Sequence, residues 1–152
     1  MFNVKKIIVP TDFSKLSFTA FDYARSLAAQ YNAKIYLMFV MEKMPPFLAV
    51  RSLDVDEKQV LSHMEDEAKK ELREAAELLR GDSDLQVESI FKKGVDYEEV
   101  VKFSEEAKAD LIIIATHGRT GILHTLLGSV AEKVIRYSKC PVLVTTPSEE
   151  DL

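Results

Sequence analysis

The chain has 152 residues, 47% of them hydrophobic and 30% charged, with a formal net charge of -5, the profile of one water-soluble globular domain with no room for a second full one. Its single cysteine, Cys140, excludes an internal disulfide and with it a bridge-built secreted scaffold, so a reducing, cytoplasmic setting is expected. The acidic balance argues against general nucleic-acid binding, no stretch approaches the ~20 apolar residues of a membrane helix, and the apolar run in the opening MFNVKKIIVP is too short for a signal sequence.

In chain order, residues 6–9 form an Ile- and Val-rich run that reads as a strand buried on both faces. Ser14 then stands as a helix N-cap, followed by Leu16, Phe21, Ala24, Leu27 and Ala28 at the spacing of one helical face, ending near Asn32. A second apolar run covers residues 34–40. Residues 43–53 contain Pro45-Pro46 and no regular period, and read as an irregular connection with the character of a lid. From 56 to 80, the residues Val60, Leu61, Met64, Ala68, Leu72, Ala75 and Leu79 recur every three or four positions, and Gly81 supplies the stop. Residues 85–91 alternate as a strand does, 97–108 and 126–137 carry helical patterns, and 111–115 and 142–145 are further strands. Strand followed by helix, four times over and closed by a strand, predicts parallel pairing with right-handed crossovers. The expectation is an open α/β sheet covered on both faces, one domain over residues 1–147, and a flexible acidic tail at 148–152.

In such sheets ligands bind beyond the carboxyl ends of the strands. That singles out three loops: Pro10-Thr11-Asp12 after the first strand, Val40-Met41-Glu42 after the second, and the stretch from Ala115 through His117 to Gly121. Gly118, Gly121 and Gly128 cluster in and just after the last of these, where a glycine-rich strand-to-helix loop offers N–H groups and a helix dipole to a phosphate. His117 and Arg119 add hydrogen-bonding and cationic groups. Residue types alone leave a second account open, in which Gly118 and Gly121 shape a tight turn and Gly128 lets the last helix pack close to the sheet. Asp12 too has two readings, a ligand or a loop carboxylate assisting the helix start; because Ser14 already fills the cap, the ligand role is favoured. No glycine stands in the frame of a P-loop lysine motif. His63 and His124 read as surface residues, Cys140 as a buried inert thiol, and the charges from Glu65 to Glu77 as an exposed face with i,i+4 pairs.

The spacing Ala115, two residues, Gly118, nine residues, Gly128-Ser129 resembles the nucleotide-binding pattern of the universal stress protein family, with Ala115 where the pattern has its first glycine. Residues 6–14, 116–121, 127–134 and 140–144 are similar to the family's opening strand and loop, its characteristic turn, its last helix and its closing strand. The resemblance implies a flavodoxin-like, adenine nucleotide alpha hydrolase-like sheet of five parallel strands in the order 3-2-1-4-5. It also implies ATP as ligand, with magnesium or manganese carried on its phosphates and no metal held by side chains. Asp12, with Pro10 and Thr11, then lies near the adenosine moiety and the Val40 backbone meets adenine. Gly118, Gly128, Ser129 and Val130 cradle the phosphates, with His117 and Arg119 alongside. A homodimer through Val142 to Thr145 and an unknown protein partner complete the picture.

Three roles are compatible with it: an ATP-binding regulatory module, a nucleotide-free dimeric interaction protein, or a slow ATPase or self-phosphorylating protein. The last would use Ser129 or Thr120 as acceptor and Asp12 or His117 as base. The lack of a P-loop lysine motif favours the first, and the extra methyl of Ala115 is the sign of the second. At negative φ that methyl is tolerated; at positive φ it weakens binding. A phosphoacceptor receiver domain shares the sheet and the length, but needs an aspartate ending the third strand, where this chain has Phe91-Lys92-Lys93-Gly94.

Overall fold

The computed structural model describes residues 1–43, 56–117 and 127–147. Nine elements alternate along them: β1 Lys6–Pro10, α1 Thr19–Tyr31, β2 Lys34–Met41, α2 Glu57–Arg80, β3 Val87–Lys93, α3 Asp96–Ala107, β4 Leu111–Ala115, α4 Ser129–Tyr137 and β5 Val142–Thr145. All pairings are parallel and the strand order is β3-β2-β1-β4-β5. The predicted connection beyond Lys43, the acidic tail at 148–152 and His124 lie outside the described residues.

Why these segments pair is visible in their burial. Successive β1 side chains go to opposite faces, Ile7 and Val9 to the core under α1 and α2, Ile8 to the core under α3 and α4. In β4 all five residues are buried, with Ile113 on the first face and Ile112 and Ile114 on the second. Each fully buried Ile or Leu contributes roughly 1.5–3 kcal/mol, so a strand apolar at every position is stable only when covered on both sides. Helices α1 and α2 cover one face and α3 and α4 the other, so the chain winds outward from β1 to β3 and then crosses back to β4. The neighbours β1 and β4 therefore send their following helices to opposite faces, which opens a crevice between their carboxyl ends.

Several boundaries differ from expectation for physical reasons. Ser14 does not cap α1; it heads a run of tight turns that leads into it. There Ser14 Oγ accepts from Ser17 N–H at 3.1 Å, and i→i+3 bonds run on through Phe18 and Thr19. The helix proper opens at Thr19 behind Phe18, which provides no side-chain cap. Strand β3 sits two residues later than its alternation suggested, because Val87 through Lys93 is the stretch in register with Ile35 through Met41. The α2 stripe divides: Leu72, Ala75, Ala76 and Leu79 are buried, whereas Val60, Leu61 and Met64 are exposed. Helix α4 begins at Ser129, with Gly128 at its N-cap. Cys140 is half-buried, not buried, with the Ser138 hydroxyl 3.5 Å from its sulfur. Gly81 does end α2, in a left-handed φ of 55°.

Candidate functional site

The β1/β4 crevice opens into a cleft of about 680 Å³, within the range of small-molecule sites. The ends of β1, β2 and β4, the first turn of α4, one side of α2 and the head of α3 surround it. Pro10, Thr11, Asp12, Val40, Ala115, His117, Gly128, Ser129 and Val130, scattered over 120 positions of sequence, all border this one cleft. Gly118 and Arg119, with Thr120 and Gly121, fall outside the described residues.

The β1 end is built from side chains. Thr11 keeps its N–H in the sheet, on Met38 O at 2.9 Å, and its buried hydroxyl lies 2.8 Å from that of the buried Ser17. The same Thr11 oxygen accepts from Phe13 N–H at 3.0 Å, and Asp12 Oδ1 accepts from Ser14 N–H at 3.0 Å. Asp12 thus braces the turn, as a loop carboxylate would, and it also borders the cleft. Phe13 between them has φ 66°, a left-handed conformation that costs a side-chain-bearing residue about 1–2 kcal/mol. Its ring is stacked on Phe39, centroids 4.4 Å apart, and Phe39 leans on Phe91 at 6.1 Å.

The β4 end is built from backbone. Ala115 pairs with Thr145 and has no positive φ, so its methyl imposes no backbone strain. Thr116 N–H donates to Thr145 O at 2.8 Å, and Thr116 O accepts from Gly128 N–H at 2.7 Å. A Cβ on Gly128 would come within 2.4 Å of that same carbonyl, so glycine is required here by close approach. Its N–H is accordingly engaged with Thr116 and not presented to a phosphate. The N–H groups of Ser129 and Val130 belong to the first turn of α4, where no residue of the helix lies four positions before them, and the positive end of the dipole faces the cleft. The Thr116 hydroxyl lies 2.8 Å from His117 Nδ1.

The wall formed by α2 escaped sequence reasoning. Met64, Glu67, Ala68 and Glu71 border the cleft, joined by Glu42 and by Asp96 at the head of α3. The available signal was the length of the α2 stripe, too long for a short sheet to cover. This wall is tied down through Glu65, which takes Lys69 at 2.7 Å and also pairs with Lys93 of β3. Hydrogen bonds from Lys69 and then Lys93 hold the Glu65 carboxyl below its ordinary value of 4.5. Among the described residues no three His, Cys, Asp or Glu side chains are grouped to hold a metal ion, and no helix is long and apolar enough to cross a membrane.

An open parallel sheet of order 3-2-1-4-5, with a mixed apolar and polar cleft at its switch point, is an α/β protein of the adenine nucleotide alpha hydrolase-like fold. Comparison with known proteins narrows this. The pattern of the universal stress protein family matches residues 3–146, and the chain belongs to that family. It is 35% identical to universal stress protein MJ0531 of Methanocaldococcus jannaschii over 149 residues, 97% of this chain and 85% of that one. The solved structure of protein MJ0577, from the same organism, superposes with a TM-score of 0.81 at 31% identity, covering 96% of this chain and 98% of that one. A universal stress protein crystallised in complex with cAMP superposes at 0.69 with 27% identity, covering 96% and 99%.

Proposed function

We propose that this universal stress protein binds an adenine nucleotide in the β1/β4 cleft, with ATP as its ligand, and acts as a regulatory binding module in the cytoplasm. The observation that carries the reading is the gathering of Asp12, Val40 and the α4 N-terminus around one cleft at the switch point. The cAMP complex of a relative supports it. In this arrangement the α4 first turn, through the Ser129 and Val130 N–H groups and the Ser129 hydroxyl, faces the phosphates, and Asp12 accepts from ribose or base donors. Magnesium or manganese travels on phosphate oxygens and water. Calorimetric titration of the nucleotide-stripped protein with ATP and magnesium tests this. A dissociation constant near micromolar, about -8 kcal/mol, that weakens at least about tenfold in Asp12→Ala supports the reading. Absence of heat up to millimolar ATP replaces it with the nucleotide-free interaction protein.

The homodimer belongs to the same proposal. Among the described residues strand β5 is an open edge of the sheet, and the carbonyls of Pro141 and Thr145 face β4, where they accept from Ile112 and Thr116. Residues alternate along a strand, so Val142 and Val144 direct their backbone N–H and C=O toward the open edge. Their side chains, however, pack into the α3/α4 core, so lysine at either position would test folding as much as association. Val144→Pro removes an outward N–H while sparing the β4 ladder. Sedimentation at half the mass of the wild type supports β5 pairing; unchanged mass refutes it.

A further inference from the structure

We propose that Phe13 is a positioning residue of the cleft: its ring, locked against Phe39, holds the backbone left-handed and thereby sets the Asp12 carboxylate in place before any ligand arrives. The inference rests on the reading of this cleft as a nucleotide site and adds to it the device that shapes one end.

Three non-glycine residues among those described have positive φ: Phe13, Asn32 and Lys108. Asn32 and Lys108 close α1 and α3 as left-handed C-caps, where such geometry is routine. Phe13 stands outside any helix end, and aromatic side chains rarely adopt this conformation. Strain of that kind persists only where the surroundings over-determine it, and it gathers at binding sites. Here the determinants are on view. The ring is stacked on Phe39 at 4.4 Å with an interplanar angle of 24°. The N–H is taken by Thr11 Oγ1, whose own N–H is fixed to the sheet through Met38 O. One residue on, Ser14 N–H returns to Asp12 Oδ1. Reversal of the chain at Phe13 is what brings that N–H back, so the orientation of Asp12 depends on a ring contact that Asp12 itself does not make. Phe13, Phe39 and Asp12 all border the cleft.

Three variants separate the lock from the ring. Phe39→Leu keeps an apolar side chain but removes the stacking surface; Phe13→Ala removes the ring and leaves a residue that disfavours positive φ; Phe13→Tyr keeps the ring. Amide hydrogen exchange of the ligand-free protein, followed by NMR at Phe13 and Ser14, is the readout, with the Ile8 amide in the buried strand as a control for global opening. Expected is exchange at least about tenfold faster at Ser14 in Phe39→Leu and Phe13→Ala, unchanged in Phe13→Tyr, with Ile8 unaffected. In the same variants ATP affinity falls about tenfold and is rescued by tyrosine. Unchanged Ser14 exchange in both altered proteins overturns the proposal, as does faster exchange with undiminished ATP affinity. Wild-type protein that takes up no adenine nucleotide defeats the reading of the cleft instead, while the exchange data still decide whether the lock exists.

Discussion

The two ends of the cleft reach the same kind of precision by opposite means. At β1, hydroxyl, carboxylate and ring side chains pin a loop whose backbone bends into an unfavourable conformation. At β4, side chains are pared away until a helix N-terminus can lie on a strand-end carbonyl. An end made of side chains tolerates change piecewise, since each contact is one of several. An end made of close backbone approach has a single element that cannot enlarge. The contrast teaches where substitutions should hurt most.

Gly128→Ala should have the largest effect, because the added methyl pushes α4 off Thr116 O and breaks the Gly128 N–H bond with it. Overpacking plus that loss amounts to about 2–3 kcal/mol, or a Tm lower by roughly 5–10 °C; an unaltered melting curve by circular dichroism would break the contrast outright. Thr11→Val should cost less, about 1–2 kcal/mol, since Phe13 N–H and Ser17 each lose one partner while the Phe13–Phe39 stack remains. Thr11→Ser should restore most of it, and a loss equal to that of Gly128→Ala would contradict the piecewise account. Ala115→Gly should be smaller again. With φ not positive and Thr145 opposite, glycine only loosens the strand end, by about 0.5–1 kcal/mol. ATP affinity measured by calorimetry should stay within about threefold of wild type; a large gain would show that the methyl obstructs the ligand.

The third wall sharpens the comparison, because α2 is tied neither by hydroxyls nor by close approach but by charge. The Glu65 carboxyl is depressed below 4.5 by Lys69 and Lys93, so its stabilisation is present above that pH and is lost as pH falls through the depressed folded value. Lys93→Ala should therefore lower Tm slightly at neutral pH, and the gap from wild type should shrink below pH 4.5. A gap that persisted in acid would assign the effect to lost packing of the lysine stem.

What could be read from sequence followed the same division. Four of the strands were legible because residues such as Ile112, Ile113 and Ile114 are apolar without interruption, a pattern that only burial on both faces sustains; β3 was legible only by its alternation, which placed it two residues early. Asp12 and Gly128 were legible as residue types, yet what Gly128 does was not. Its spacing fits equally a phosphate cradle and a close approach, and only the Thr116 carbonyl at its side shows the second. The start of α1 was misplaced because Ser14 has the chemistry of a cap and uses it one turn early. Phe13 left no trace at all: residue type argues against positive φ, and its reason lies in Phe39, 26 positions away. The α2 wall was hidden because Met64 and Ala68 follow the same period as Leu72 and Leu79, though only the latter pair is buried in the core while the former borders the cleft.

That uneven footing makes α2 a cantilever. At 24 residues the helix is about 36 Å long, clamped by Leu72, Ala75, Ala76 and Leu79, with Glu65 as a stay about a third of the way along from its N-terminus. Beyond the stay, Val60 and Leu61 are exposed and have no core beneath them among the described residues, so backbone order parameters of these turns should decline toward Glu57. A molecule seated beside Met64 and Ala68 would put a support under the free span, and stiffening at its tip would then report occupancy of the cleft at a distance.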